Sequence, residues 1–263
     1  MRRLAALIVL TLLSACSTID DLAPVRPSGA SLSGKGPRFG DSNPHEWESG
    51  APWLYAVHGT DVSKYQRSID WSAAKASGIS FAFIKATEGG DRVDDYFGEH
   101  WQRTKHAGIP RAAYHFYYFC RPASEQAAWF IKNVPNERSA LPPVLDMEWN
   151  PSSPTCKLRP PAETVRSEMA TFLRLVERHY GKKPIIYTSI DFIDDNNLST
   201  FHGYPYWLRS VAGHPTKRYG SHPFTFWQYT GTGIVPGITG DADINVFNGG
   251  TAAWNKWLRQ NTR

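Results

Sequence analysis

From residue 56 onward, short apolar runs rich in β-formers recur, and most are followed by a stretch with helical periodicity. The run at 56–62 precedes a helical pattern at 69–75, and the run at 81–87 precedes one at 96–106. The pairs continue with 112–118 and 124–134, then 144–148 and the longest helical pattern, 162–180. A fifth run covers 185–188, and beyond it 206–209, 225–229 and 244–247 read as strands with little helix between them. Apolar strands alternating with helices imply a parallel sheet covered on its outer face. About eight such strands over some 210 residues fit a barrel, slightly short of the roughly 250 typical of a complete (β/α)8. The expected fold is therefore α/β, a distorted TIM-like barrel whose helical coat is incomplete in its second half. An open doubly wound sheet is the alternative, weakened because no Gly-rich phosphate loop follows a strand.

Residues 1–16 predict a lipoprotein signal segment. Arg2 and Arg3 precede an apolar stretch at 4–13, and Leu13, Ser14 and Ala15 lead into Cys16 in the register of a lipidation site. A plain signal peptide is the alternative. By resemblance to Gram-negative sorting, Ser17 in place of Asp directs the anchored chain to the outer membrane, facing the periplasm. Residues 17–52, with Pro24, Pro27, Gly29, Gly34, Gly36, Pro37, Gly40 and Pro44, read as a flexible tether, leaving 53–263 as the globular domain. The 263 residues, 41% apolar and 13% aromatic, suffice for a sizeable core and argue against disorder. A mean hydropathy of -0.43, and no apolar run near a membrane span after the N-terminus, exclude a polytopic membrane protein. The net charge of +5 lies outside the first fifty residues, where five basic and five acidic side chains cancel. No Lys/Arg cluster is dense enough for a nucleic-acid groove, so no nucleic-acid partner is expected. A monomer is expected.

The chemical signal lies at residues 142–149. Asp146 and Glu148 stand two apart, so in a strand they share one face while Leu145 and Met147 point into packing. Both fall at the C-terminal end of a strand, where barrels carry their chemistry. Two close carboxylates cannot both ionise at ordinary pKa, which leaves one available as a general acid. That suits glycosidic bond cleavage, although a D-x-E alone is weak. Asp61 ends the first strand and Asp243 opens the last, adding two carboxylates. Tyr114, Phe116, Tyr118, Tyr187, Trp207, Trp227 and Tyr229 crowd the other strand ends, as a saccharide cleft with stacking rings requires. His58 and His115 lack metal-ligand spacing, so no metal and no cofactor are expected. Cys120 follows the third strand and Cys156 the fourth; their loops emerge at one rim, where a disulfide is expected in an oxidising periplasm and two free thiols are the alternative.

Gly59-Thr60-Asp61-Val62-Ser63 with Ile69-Asp70-Trp71, residues 83–89 (FIKATEG), 113–116 (AYHF), 145–148 (LDME), 186–188 (IYT) and 227–229 (WQY) resemble glycoside hydrolase family 25, in family order over about 56–257. These Chalaropsis-type lysozymes are N-acetylmuramidases. The resemblance implies a distorted β/α barrel and cleavage of the β-1,4 bond between N-acetylmuramic acid and N-acetylglucosamine, so peptidoglycan glycan strands are the expected partner. It maps the acid onto Glu148, the second carboxylate onto Asp146, the flanking aspartates onto Asp61 and Asp243, and a binding position onto Asp94. Tyr114, Tyr187, Trp227 and Tyr229 are the expected sugar-stacking residues. Arg209 replaces a usually small family residue, and Trp149 after Glu148 can reshape the cleft wall. Asp146 either activates water or orients the substrate's N-acetyl group; assistance by the N-acetyl group is favoured, because same-face carboxylates are badly placed for attack from the far side of the sugar. The competing functions are a non-catalytic wall-binding lipoprotein that keeps the cleft and a chitinase-like glycosidase.

Overall fold

The computed structural model describes residues 36–262; the lipidation expected at Cys16 lies outside the described residues. Eight strands form the barrel: β1 (His58–Val62), β2 (Ile79–Glu88), β3 (Arg111–Phe116), β4 (Val144–Met147), β5 (Ile185–Thr188), β6 (Tyr206–Arg209), β7 (Phe226–Ile234) and β8 (Ala242–Phe247). Each pairs with the next in the chain, and β8 returns to β1, so the sheet closes on itself and the open-sheet alternative falls. The fold is mixed α/β around a closed eight-stranded barrel.

Helices α1 (Trp71–Ala76), α2 (Phe97–His106), α3 (Ala123–Asn133) and α4 (Ala162–Tyr180) follow the first four strands. Only α5 (Ile190–Asn196), α6 (Pro215–Arg218) and, after the last strand, α7 (Thr251–Asn261) serve the second half. No helix joins β7 to β8. Strands β1 to β7 run parallel, whereas β8 is antiparallel to both its neighbours. The all-parallel sheet expected from sequence is corrected here for a simple reason. The link at 235–241 is hairpin-sized, and a parallel return needs a crossover of roughly a dozen residues or more.

Alternation along the strands sorts the core into two layers. Outward-facing Ala82, Ile84, Leu145, Met147, Ile186 and Leu208 are buried under the helices. Helix α4 answers with Val165, Met169, Phe172, Leu173 and Val176, one apolar stripe at helical spacing, and ends on Gly181 at φ 66. Asp70 starts α1 by accepting from the backbone N–H groups of Ser72 and Ala73, each at 3.0 Å. Inside the barrel, Phe81, Phe83, Phe226 and Phe247 pack together, and Trp254 of α7 closes that end. The other end is thereby left to polar side chains.

Gly59 lets the Phe81 ring pack directly against the β1 backbone, since a Cβ there would sit 2.4 Å from that ring. That ring is fully buried and has no free volume to retreat into. Gly59→Ala is expected to destabilise the protein by about 2 kcal/mol through overpacking. Chemical denaturation checks it, and an unchanged midpoint refutes the packing account.

Residues 36–52, which composition assigns to a tether, lie against the barrel. Gly40 and Asp41 pair with Ile234 and Gly233 of β7, and Trp47 packs edge-on against Trp227 with ring centroids 5.2 Å apart. Backbone pairing of this kind leaves no mark in hydrophobic periodicity. Among the described residues no helix is long and apolar enough to cross a membrane.

Candidate active site

Four carboxylates gather at the polar end of the barrel. Asp61 of β1 and Asp243 of β8 stand directly opposite in the antiparallel pair, so their side chains share the inner face. Asp146 lies near the end of β4, level with Phe116 of β3 and Tyr187 of β5. Glu148 follows one residue beyond β4, on the same face by alternation. Asp61 and Asp146 are 7% and 6% exposed, whereas Glu148 and Asp243 keep more contact with solvent.

A chain of hydrogen bonds fixes Asp61. Its Oδ1 accepts from Asn245 Nδ2 at 2.8 Å and from Gln228 Nε2 at 3.0 Å. Tyr187 donates its hydroxyl to Gln228 Oε1 at 3.0 Å, and Trp207 Nε1 donates to Asn245 Oδ1 at 2.7 Å. Each amide oxygen is thus occupied, so each amide nitrogen must turn toward Asp61. Asp146 is the opposite case: its buried Oδ1 has no hydrogen-bond partner in the protein. A buried acceptor without a partner costs about 1–3 kcal/mol, a cost removed when a donor arrives.

Burial pushes all four acids upward. Asp61 rises to about 6, with the bonds from Asn245 and Gln228 restraining the rise. Asp243 is raised to about 8 by burial and then by the negative charge of Asp61. Glu148 is raised to about 7 by burial, against the opposing pull of Arg209. Asp146 lies well above the ordinary aspartate value through burial and then the charge of Glu148. Two cations temper the cluster. Arg209 acts on Asp61, Glu148 and Asp243, and Lys85, ion-paired to Glu88 at 2.6 Å, acts on Asp146 and Glu148. With four acids against two cations, the site holds protons near neutrality.

The sequence candidates divide. Tyr114 and Tyr187 face the cluster, and burial together with the neighbouring acids keeps their phenols neutral donors. Trp227 does not face it. The residue alternates outward from Gln228, is fully buried, packs against Trp47, Tyr55 and His214, and donates its Nε1 to Ser210 O at 2.8 Å. A sealed indole has no face to offer a sugar, so that expectation is corrected. Tyr229 also turns outward, to His58 and to a separate hollow. Asp94 is 8% exposed, and its carboxylate accepts from the backbone N–H groups of Lys64 and Tyr96, both at 3.0 Å. Trp149 packs outside the barrel against Phe119 and Phe192, away from the cleft wall. His58 and His115 also point outward; burial lowers both to about 4, leaving them neutral. Among the described residues no three His, Cys, Asp or Glu are grouped to hold a metal ion. Cys120 and Cys156 form a disulfide joining the loops after β3 and β4.

Sequence reasoning missed Gln228 and Asn245. Their signal was available: each is a polar residue amid apolar neighbours on a strand that carries or faces a cluster acid.

Comparison with known proteins agrees with this arrangement. The family described as glycosyl hydrolases family 25 matches residues 60–238. The chain is 35% identical over 227 residues to Lysozyme M1 of Streptomyces globisporus, covering 80% of this chain and 74% of that protein. It is 39% identical over 203 residues to the uncharacterised protein YegX of Escherichia coli K12, covering 75% of this chain and 72% of YegX. A family 25 glycosyl hydrolase structure from Bacillus anthracis superposes with a TM-score of 0.69 at 33% identity, over 81% of this chain and 98% of that one. Four strand-end acids in a closed barrel, and a family match across most of that barrel, have one common account: the chain belongs to glycosyl hydrolases family 25.

Proposed function

We propose that the protein is a peptidoglycan muramidase that cleaves the β-1,4 bond between N-acetylmuramic acid and N-acetylglucosamine, with Glu148 as the general acid. The observation that carries this reading is the gathering of Asp61, Asp146, Glu148 and Asp243 at one end of a family 25 barrel, with Glu148 at the solvent-reached edge and raised to about 7 by burial. A general acid works best with a pKa near the operating pH, and an ordinary glutamate would already have lost its proton.

The unpartnered Oδ1 of Asp146 supplies the second role. A substrate N-acetyl N–H donating to it stabilises the ionised aspartate, and the negative charge so fixed keeps the proton on Glu148. The N-acetyl carbonyl oxygen then attacks the anomeric carbon while the glycosidic C–O bond breaks, and the leaving oxygen takes the Glu148 proton. In the second step the Glu148 carboxylate takes a proton from the water that adds to the anomeric carbon and releases the N-acetyl oxygen. Both displacements invert that carbon, so the configuration is retained overall. Asp61, whose ionised form is favoured by the bonds from Asn245 and Gln228, holds negative potential beneath the developing oxocarbenium ion.

The barrel is read as a (β/α)8 barrel distorted by its reversed last strand. The sequence around Cys16 supports a lipid anchor at the outer membrane, placing a monomeric domain in the periplasm against the wall.

Incubation of the purified protein with isolated sacculi, followed by mass spectrometry, tests the assignment. The expected products end in a reducing N-acetylmuramic acid, and NMR of the first product shows the β anomer. Products ending in N-acetylglucosamine refute the bond assignment, a first-formed α anomer refutes assistance by the N-acetyl group, and no products at all favours the wall-binding alternative.

A further inference from the structure

A hollow of about 520 Å³ opens beside the carboxylate cluster, between residues 37–53 and the rim formed by β6 to β8. Its size lies within the range of ligand pockets, roughly 300–1,000 Å³. One wall comes from residues that precede the 60–238 span matching the family. That wall is held firmly. Gly40 and Asp41 extend the sheet at β7, Ser42 N donates to Thr232 O at 2.8 Å, and Thr232 Oγ1 donates to Asp41 Oδ1 at 2.6 Å.

The lining has the chemistry of an acidic-sugar site. Trp53, 36% exposed, carries the Arg38 guanidinium 4.8 Å from its ring centroid, and Tyr229 stands in the opposite wall. Arg209 adds a second cation and belongs to both regions, since the same charge acts on Glu148, Asp61 and Asp243. Gly231 also lines the hollow, and a Cβ there would lie 3.1 Å from Asp243 Oδ1. The hollow is separate from the cluster but neighbours it on the Asp243 side, with Arg209 and Gly231 between the two.

We propose that residues 37–53 and the β7 rim form an additional subsite that takes a further N-acetylated sugar of the same glycan strand, stacked on Trp53 with its acidic substituent against Arg38. The proposal rests on the muramidase reading, which supplies the polymer that leaves the cleft at this side. Aromatic faces bind sugar C–H surfaces, and two arginines match the carboxylates of the stem peptides, or the lactyl carboxylate where a stem is absent. Because the wall is already tied to the barrel, little ordering cost opposes binding.

The test uses the full chain made inactive by Glu148→Gln, titrated calorimetrically with peptidoglycan fragments of two and of eight sugars. The long fragment is expected to bind more tightly. Trp53→Ala and Arg38→Gln, introduced separately, are expected to lower its affinity between about threefold and tenfold while moving the short fragment less than about twofold. Trp53→Tyr restores most of the loss, which a detached wall would not do. With stem peptides enzymatically removed, each freed lactyl carboxylate keeps an anion on the sugar, and the Trp53 and Arg38 effects both persist. Long-fragment binding indifferent to both substitutions overturns the subsite, and a Trp53 effect that vanishes with the stems makes the occupant a peptide and overturns the sugar assignment. Failure of the parent to bind either fragment would instead sink the muramidase reading, and this proposal with it.

Discussion

Glu148→Gln is expected to lower turnover on purified peptidoglycan by about 10²–10⁴-fold, the usual worth of a positioned general acid. The amide is nearly isosteric and keeps a hydrogen-bond donor, so the loss isolates the transferable proton. Burial and neighbouring acids hold the native side chain near 7, which sets the pH profile as well. The acid must be protonated, so kcat/KM should fall tenfold per pH unit above about 7, and the residual activity of Glu148→Gln should lack that limb. The variant should also be at least as stable as the parent at alkaline pH, because a charge that is costly to bury has gone. Turnover retained within a few-fold, with folding intact by circular dichroism, removes Glu148 from the acid role.

Much of this site could be read before any coordinates because strand alternation is a strict rule. Asp146 and Glu148 two apart at a strand exit, Asp61 at the end of β1 and Asp243 in β8 all converge on the inner face. Alternation fails where both faces of a strand are apolar. Phe226 points into the barrel and Trp227 out of it, yet both are fully buried, and hydrophobicity alone cannot say which is which. Gln228 breaks the tie. A polar residue within the acidic half of a barrel belongs inside, which turns Trp227 and Tyr229 outward together. The reversed direction of β8 was implicit in the short 235–241 link but invisible to strand propensity, since pairing direction is set by the connection. The 36–52 segment escaped notice for a related reason. Its attachment runs through backbone pairing at Gly40 and Asp41 and one indole edge at Trp47, while its Pro and Gly content reads as a spacer. The barrel and its acids were therefore legible, and the segment laid along its rim was not.

Asp243→Asn is expected to stabilise the fold at alkaline pH while impairing catalysis. In the folded protein Asp243 is raised from 3.8 to about 8, by burial first and then by the charge of Asp61. A carboxyl with a raised folded pKa binds its proton more tightly in the native than in the unfolded state. Stability is then fullest at low pH and declines as the pH climbs from the unfolded value, near 4, through the folded one, near 8. An amide has no proton to lose there and escapes the decline. The full shift is an upper bound, since Asp61 and Asp243 release their protons as a coupled set, and about half of it leaves roughly 3 kcal/mol in favour of Asp243→Asn at pH 9. Near pH 3.5 both proteins carry a neutral side chain and the difference should nearly vanish. Urea unfolding at the two pH values measures it directly, and a stability gap independent of pH would show that Asp243 is not held against its ionisation. The converging charges give the gap its functional sense. Acids gathered in a buried strand end cost folding energy, and that burial, with the neighbouring charges second, keeps a proton on Glu148 at the pH where an ordinary glutamate would have released it.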